Sequence, residues 1–180
     1  MDTSVKQCVR VVVYAMGFAL SASSSAHEIP PMAYQIAAST AGVPPSVLYA
    51  IALQESGVRL RGRTIPWPWT LNVAGTSFYY STRDSACLGL LRALEQQPAT
   101  RVDAGLAQLN LGYQQRFYRQ PCDVLDPYRN LAIAAAILQG HRRSGENWIP
   151  AIGRYHRPAG GEPAARYQHR VNSHLQRLAR

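Results

Sequence analysis

An apolar run, Val47-Leu48-Tyr49-Ala50-Ile51-Ala52-Leu53, ends on Gln54-Glu55-Ser56-Gly57. Val47, Leu48, Ile51 and Ala52 recur at helical spacing, which predicts a helix from about Pro45 to Ser56 with that stripe against a core. Pro45 is tolerated in a first turn, where its missing N–H has no helical partner to lose, and Gly57 supplies a stop. A carboxyl at the end of such a helix is wedged against apolar surface. It loses hydration, and its pKa rises. That prepares a glutamate to act as a general acid near neutral pH. Taken alone, Glu55 reads better as a solvated helix-end residue.

Gly105-Leu106-Ala107-Gln108-Leu109-Asn110 follows later and brings an amide pair, Gln108 and Asn110, suited to a neutral ligand rich in hydroxyls and amides, such as a sugar. Beyond it stand Asn130-Leu131-Ala132-Ile133-Ala134-Ala135-Ala136-Ile137-Leu138 and Gly153-Arg154-Tyr155-His156. In this order the four strings resemble the soluble-type (SLT) lytic transglycosylases. That family has a goose-lysozyme-like fold and the pattern Glu-Ser, Gly-Leu-Met-Gln-Ile-Asn, an alanine-rich helix, then Ala-Tyr-Asn. The resemblance covers about Ile36 to Tyr155, with Ala107 where Met is usual and His156 where Asn is usual. One motif is weak, because Glu-Ser is common by chance; four in the right order are specific.

The resemblance implies that Glu55 is the catalytic residue. It protonates the oxygen between N-acetylmuramic acid and N-acetylglucosamine. It then takes a proton from the C6 hydroxyl of the muramic sugar as a 1,6-anhydro ring closes. No water is consumed, and neither a metal nor a cofactor is required. Ser56 orients the acid by a hydrogen bond, Gln108 and Asn110 contact sugar, and Gly105 permits close backbone approach. The Tyr155 hydroxyl reaches the acid or the substrate's acetamido group. His156 takes over a polar contact in one tautomer, or with a charge that changes near pH 6.5. Each has a plainer role: helix end for Ser56, capping and turn for Gln108 and Asn110, turn start for Gly105, half-buried ring for Tyr155. Trp67 and Trp69 either wall the sugar site or plug the core, and one is expected in each role. Ordinary glycosidases use two carboxylates. Here Asp84, Glu95, Asp103 and Glu146 sit in no motif, and Asp103 reads as the N-cap of a short helix carrying Gln108.

Elsewhere, Pro31 to Thr40 reads as a helix ended by Gly42. Two prolines exclude a regular helix near Trp67, and Leu71 to Tyr80 reads as a hairpin turning at Ala74-Gly75. Leu88, Leu91, Ala93 and Leu94 mark a helix over 84–97. Asp126-Pro127 opens a helix to about Arg142 that is apolar almost all round, hence central and buried. Helices over 147–155 and 163–179 flank a loop over 157–161. The fold class is mainly α: a lysozyme-like single domain over 27–180 with a small β-hairpin element.

Residues 1–26 read as a cleaved export signal: Lys6 and Arg10, an apolar Val11 to Ala22 too short to span a bilayer well, then Ser24-Ser25-Ala26. Cleavage after Ala26 places the mature chain in the periplasm without an integral membrane segment. It leaves Cys87 and Cys122, for which export favours a disulfide over two free thiols. The mature part has no lysine; its side-chain cations other than histidine are all arginine. Arginine binds carboxylates and phosphates through a planar fork. Nucleic acid is excluded as a partner by export and by the absence of an arginine stripe interleaved with aromatics. His169 and His174 lack metalloprotease spacing, so no metal site is expected. The partners implied are peptidoglycan glycan strands and, by resemblance to small stand-alone family members, components of a secretion, conjugation or pilus machine. Two rival readings stand: a lysozyme-type hydrolase on the same fold, and a non-catalytic peptidoglycan-binding scaffold.

Overall fold

The computed structural model describes residues 28–180. The export segment, its cleavage after Ala26 and His27 lie outside the described residues.

Helix α1 (Met32–Thr40) stops where Gly42 takes a left-handed φ of 67°. Helix α2 (Pro45–Ser56) has the expected bounds, but every side chain from Val47 to Leu53 is buried, not only the predicted stripe. A helix that is apolar all round must be enclosed, and α1, α4 (Pro127–His141), α6 (Glu162–Leu178) and the strand β2 (Arg63–Pro66) pack around it. The central helix is therefore α2. Helix α4, expected in that place, buries Leu131, Ala134, Ala135 and Leu138 but leaves Ala132 and Ala136 open along an apolar groove shared with Ile36 of α1. Alanine carries little area, so exposing it costs little.

Gly57 ends α2 without a left-handed cap. At φ −62° and ψ 122° it runs straight into β1 (Gly57–Leu60), and a Cβ there would stand 2.3 Å from the Leu53 carbonyl oxygen. β1 pairs with β2 (Arg63–Pro66) across Arg61-Gly62, both with positive φ, a hairpin that the prolines and polar residues did not announce. The expected hairpin follows as β3 (Thr70–Val73) and β4 (Thr76–Tyr79), turning at Ala74-Gly75 with φ of 53° and 94°. Positive φ at both central residues gives the twist that a two-residue hairpin requires.

That hairpin belongs to a four-stranded antiparallel sheet in the order β4-β3-β5-β6. β5 (Val102–Ala104) and β6 (Leu109–Asn110) lie on either side of the Gly105–Gln108 turn. This corrects the short helix expected after Asp103. Val102 and Ala104 are buried while Asp103 faces the other side, a period of two, and the free edge of β3 accepts the segment through the pairs Leu71↔Ala104 and Asn72↔Asp103.

Helix α3 (Arg83–Gln96) is capped by Thr82, whose hydroxyl accepts the Ser85 N–H. It buries Ala86, Leu90 and Ala93, whereas Leu88 and Leu91 point to solvent. The helix marked by Leu88, Leu91, Ala93 and Leu94 is present, and its small Ala86 and Ala93 let α3 sit close to β3 and β5. Cys87 on α3 is joined to Cys122 by a disulfide, with Cα atoms 5.3 Å apart. The turn at 121–125 leads to Asp126, whose carboxylate accepts the Arg129 N–H at the start of α4. Asn147 caps α5 (Trp148–His156) in the same way through the Ile149 N–H.

Candidate active site

The last turn of α2 points Glu55 into an open cleft of about 710 Å³. The sheet contributes Asn72, Ser77, Asp103, Gln108 and Asn110 to the lining; the helices contribute Ile137, His141, Tyr155 and His156, and the loop after α5 adds Arg157 and Pro158. Burial of the Glu55 carboxyl pushes its pKa up to about 7. A hydrogen bond donated by the Tyr167 hydroxyl to Oε1, at 2.5 Å, opposes this, the nearby Asp103 charge adds to it, and Arg170 offsets it. The cleft beside a dry helix end therefore holds a carboxyl that is about half protonated at neutral pH and so has a proton to give.

Tyr167, from the middle of α6, is buried, and burial lifts its phenol well above the usual range, so the hydroxyl stays a donor. The His156 ring stacks on Tyr167 with centroids 4.5 Å apart and planes 3° from parallel. Because the Tyr167 bond favours ionised Glu55, Tyr167→Phe is expected to move the alkaline limb of any Glu55-dependent activity to higher pH by about half a unit to one unit. A pH profile of kcat/KM reads this directly; an unmoved limb would mean that Tyr167 does not tune the acid.

Ser56 does not reach the acid. Its hydroxyl donates to the Leu106 carbonyl at 2.7 Å, fastening the Gly105–Gln108 turn to the end of α2. The turn is held from the other side by Asn130 of α4, fully buried, which accepts the Ala107 N–H and donates to the Ala104 and Val124 carbonyls at 2.9, 3.0 and 2.8 Å. Gly105 makes room for that amide: at φ 84°, a Cβ would lie 2.1 Å from Asn130 Nδ2. The group that approaches Gly105 closely in the fold is the Asn130 amide. Gly105→Ala combines a left-handed φ with that overlap and should destabilise by about 2–3 kcal/mol. Urea unfolding checks it, and a change under about 0.5 kcal/mol would refute the packing argument.

Gln108 has φ 46° and spends its Nε2 on the Gly105 and Thr70 carbonyls while lining the cleft. Asn110 lines the cleft too, but its amide is engaged throughout: Nδ2 donates to Thr100 O and Asp103 Oδ1, and Oδ1 accepts the Gly112 and Tyr113 N–H groups. Its local work is turn formation and orientation of Asp103. The Tyr155 hydroxyl donates to the Ala107 carbonyl at 2.8 Å, not to Glu55. At position 107, where the resembled family carries Met, the backbone thus serves both Tyr155 and Asn130.

Trp67 and Trp69 do not line the cleft. Trp67 donates its indole N–H to Tyr80 O at 2.7 Å, and Trp69 packs edge-on to it against the core. Residues to which the sequence reading gave no role of their own at the site are Asp103, Asn130, Tyr167, His141 and Arg157. Burial raises the Asp103 carboxyl while the Asn110 amide lowers it. The apolar-polar-apolar string Val102-Asp103-Ala104 was a signal for a strand with Asp103 on its open face. Nothing local marks Tyr167, which meets Glu55 across 112 positions of sequence. Among the described residues, no three His, Cys, Asp or Glu side chains are grouped to hold a metal ion.

A helical domain with a cleft floored by one neutral-leaning carboxyl, beside amides and phenols, has the layout of a sugar-polymer-cleaving domain. The family described as Transglycosylase SLT domain matches residues 32–177, and the chain belongs to it. The lysozyme-like fold and a transglycosylase-type function on peptidoglycan follow from that membership. No match was found among curated proteins or among solved structures.

Proposed function

We propose that the protein is an exported, periplasmic lytic transglycosylase, cleaving the β-1,4 bond from N-acetylmuramic acid to N-acetylglucosamine and leaving 1,6-anhydro-muramic ends. The observation that carries the reading is the Glu55 carboxyl, pushed up to about 7 by burial at the floor of the cleft. Protonated Glu55 gives its proton to the bridging oxygen as the C1–O bond breaks, and the N-acetylglucosamine side leaves as an alcohol. The C6 hydroxyl of the muramic sugar then bonds to C1 and returns its proton to the Glu55 carboxylate. Atoms balance without water, and Glu55 ends as it began. Tyr167 steadies the carboxylate between the two steps.

Export rests on the 1–26 leader pattern. The task, local opening of the wall for a secretion, conjugation or pilus machine, rests on resemblance to small family members alone.

Asp103 favours a second reading. It shares the cleft with Glu55 and affects its charge. A second carboxylate able to activate water or face the cationic sugar carbon is what a hydrolase needs. Mass spectrometry of soluble products from purified peptidoglycan separates the two. The anhydro form is expected from the wild type, with Asp103→Asn lowering the rate about tenfold or less, since the transglycosylase route does not require it. Hydrated reducing ends, or a loss with Asp103→Asn as large as with Glu55→Gln, would establish the hydrolase. Binding to the wall with no products would leave the scaffold reading.

A further inference from the structure

The cleft is electrically lopsided. Its sheet side offers Asp103 among neutral Asn72, Ser77 and Asn110, while its helical side carries His141, His156 and Arg157. Arg170 of α6 stands behind that side, its guanidinium 5.9 Å from the Tyr167 ring centroid, and both Arg157 and Arg170 are close enough to His156 to disfavour its protonation. Among the described residues the ion pairs are Arg63–Glu28, Arg129–Asp123, Arg154–Glu146 and Arg166–Glu162, so neither Arg157 nor Arg170 is held in a salt bridge, and Arg170 is near enough to Glu55 to favour its charged form. Arg157 closes the C-terminal end of α5, directly after the His156 that stacks on Tyr167.

Resting on the transglycosylase reading, the substrate poses a register problem. The two sugars of the strand alternate, and both carry an acetamido group, so amides such as Gln108 cannot tell them apart. Only the muramic sugar bears an acidic substituent at its lactyl ether. Its C6 hydroxyl, and not that of its neighbour, must stand at Glu55. A cation on one side of Glu55 and a carboxylate on the other would distinguish the sugars by attraction and repulsion together.

We propose that Arg157, supported by Arg170, forms a carboxylate-reading subsite that takes the acidic substituent of the muramic sugar and so sets the register of the strand at Glu55. The guanidinium fork suits a carboxylate geometrically, and Asp103 repels the same group from the sheet side. The carboxylate has two possible sources: the free lactyl group of a strand stripped of peptide, or an acid of the stem peptide.

The test uses three soluble strands: peptide-bearing, peptide-stripped with the lactyl carboxylate free, and stripped with that carboxylate capped as an amide. Titration calorimetry against Glu55→Gln protein, which blocks turnover, gives affinities with and without Arg157→Gln. Arg157→Gln should weaken an acidic strand about threefold to fivefold and leave the capped strand unchanged; the acidic strand that responds identifies the source. Equal loss on all three strands, or loss on none, overturns the subsite. Arg157→Gln in the wild-type background, read as a rise in KM on the same acidic strand, is the independent measurement. Discrimination in binding without any product would keep the subsite and end the transglycosylase reading. Anhydro products without discrimination would do the reverse.

Discussion

Glu55→Gln is expected to preserve the fold and to cut release of soluble glycan fragments by at least about a hundredfold, the scale at which removal of a positioned general acid is felt. The amide matches the carboxyl in size and keeps an oxygen for the Tyr167 hydroxyl, but it has no proton to give and cannot take one back. The same substitution should raise stability at alkaline pH. Folded Glu55 titrates near 7, against 4.5 for an exposed glutamate, so the folded state holds the extra proton between those values. That contribution is fully present below about 4.5 and is lost as pH rises through about 7. At pH 8 the folded chain must bury a charge, at a cost of up to about 3 kcal/mol. The neutral glutamine removes this cost. Calorimetry at pH 8 should show a melting temperature roughly 6–10 °C higher for Glu55→Gln, and the gap should close as pH falls toward 4.5. A gap that is absent at pH 8, or that widens in acid, would show that Glu55 is not held neutral. Retained cleavage would remove it from the chemistry altogether.

Removal of the Cys87–Cys122 bridge has the next largest expected effect. The two residues are 35 positions apart, and opening a loop of that length frees unfolded-chain entropy worth about 3–4 kcal/mol in the chain-entropy model. The bridge pins α3 to the turn at 121–125, which ends at the Asp126 cap of α4, and Arg83 Nη2 donates to the Cys122 carbonyl beside it. Cys87→Ala with Cys122→Ala should lower the unfolding free energy read from urea titration by that amount without altering the Glu55 pH limb, because the bridge lies outside the cleft lining. Wild-type protein kept in reductant should match the double variant. A loss under about 1 kcal/mol would mean that the reduced chain retains the contact unaided.

Local signals located the helices well. Pro45, Asp126-Pro127 and Asn147 are start signals whose physics is complete within a turn or two: a missing N–H where none is needed, and a side-chain oxygen for an orphan donor. The Ala74-Gly75 hairpin was legible for the same reason. Faces were harder. Leu88 and Leu91 helped to mark α3 as a helix yet face solvent, whereas Ala86, Leu90 and Ala93 are inside, on the side packed against the sheet. The Val102-Asp103-Ala104 alternation is a short strand signal, but the partner that makes it a strand, the edge of β3, lies about thirty positions away in sequence.

The chain alone determined that a carboxyl would end a buried helix and that a glycine-led string with an amide pair would accompany it, since apolar spacing and residue chemistry are carried by neighbours in sequence. Folding decided what those motif residues do. Ser56 and Asn130 hold the turn from opposite sides, Gly105 yields space to Asn130, and Tyr155 bonds a backbone carbonyl. Folding also brought Tyr167 to Glu55 and set Asp103 and Arg157 in one cleft. Desolvation, hydrogen bonding and charge act over a few ångströms of space, and only the packed chain establishes which distant residues stand that close.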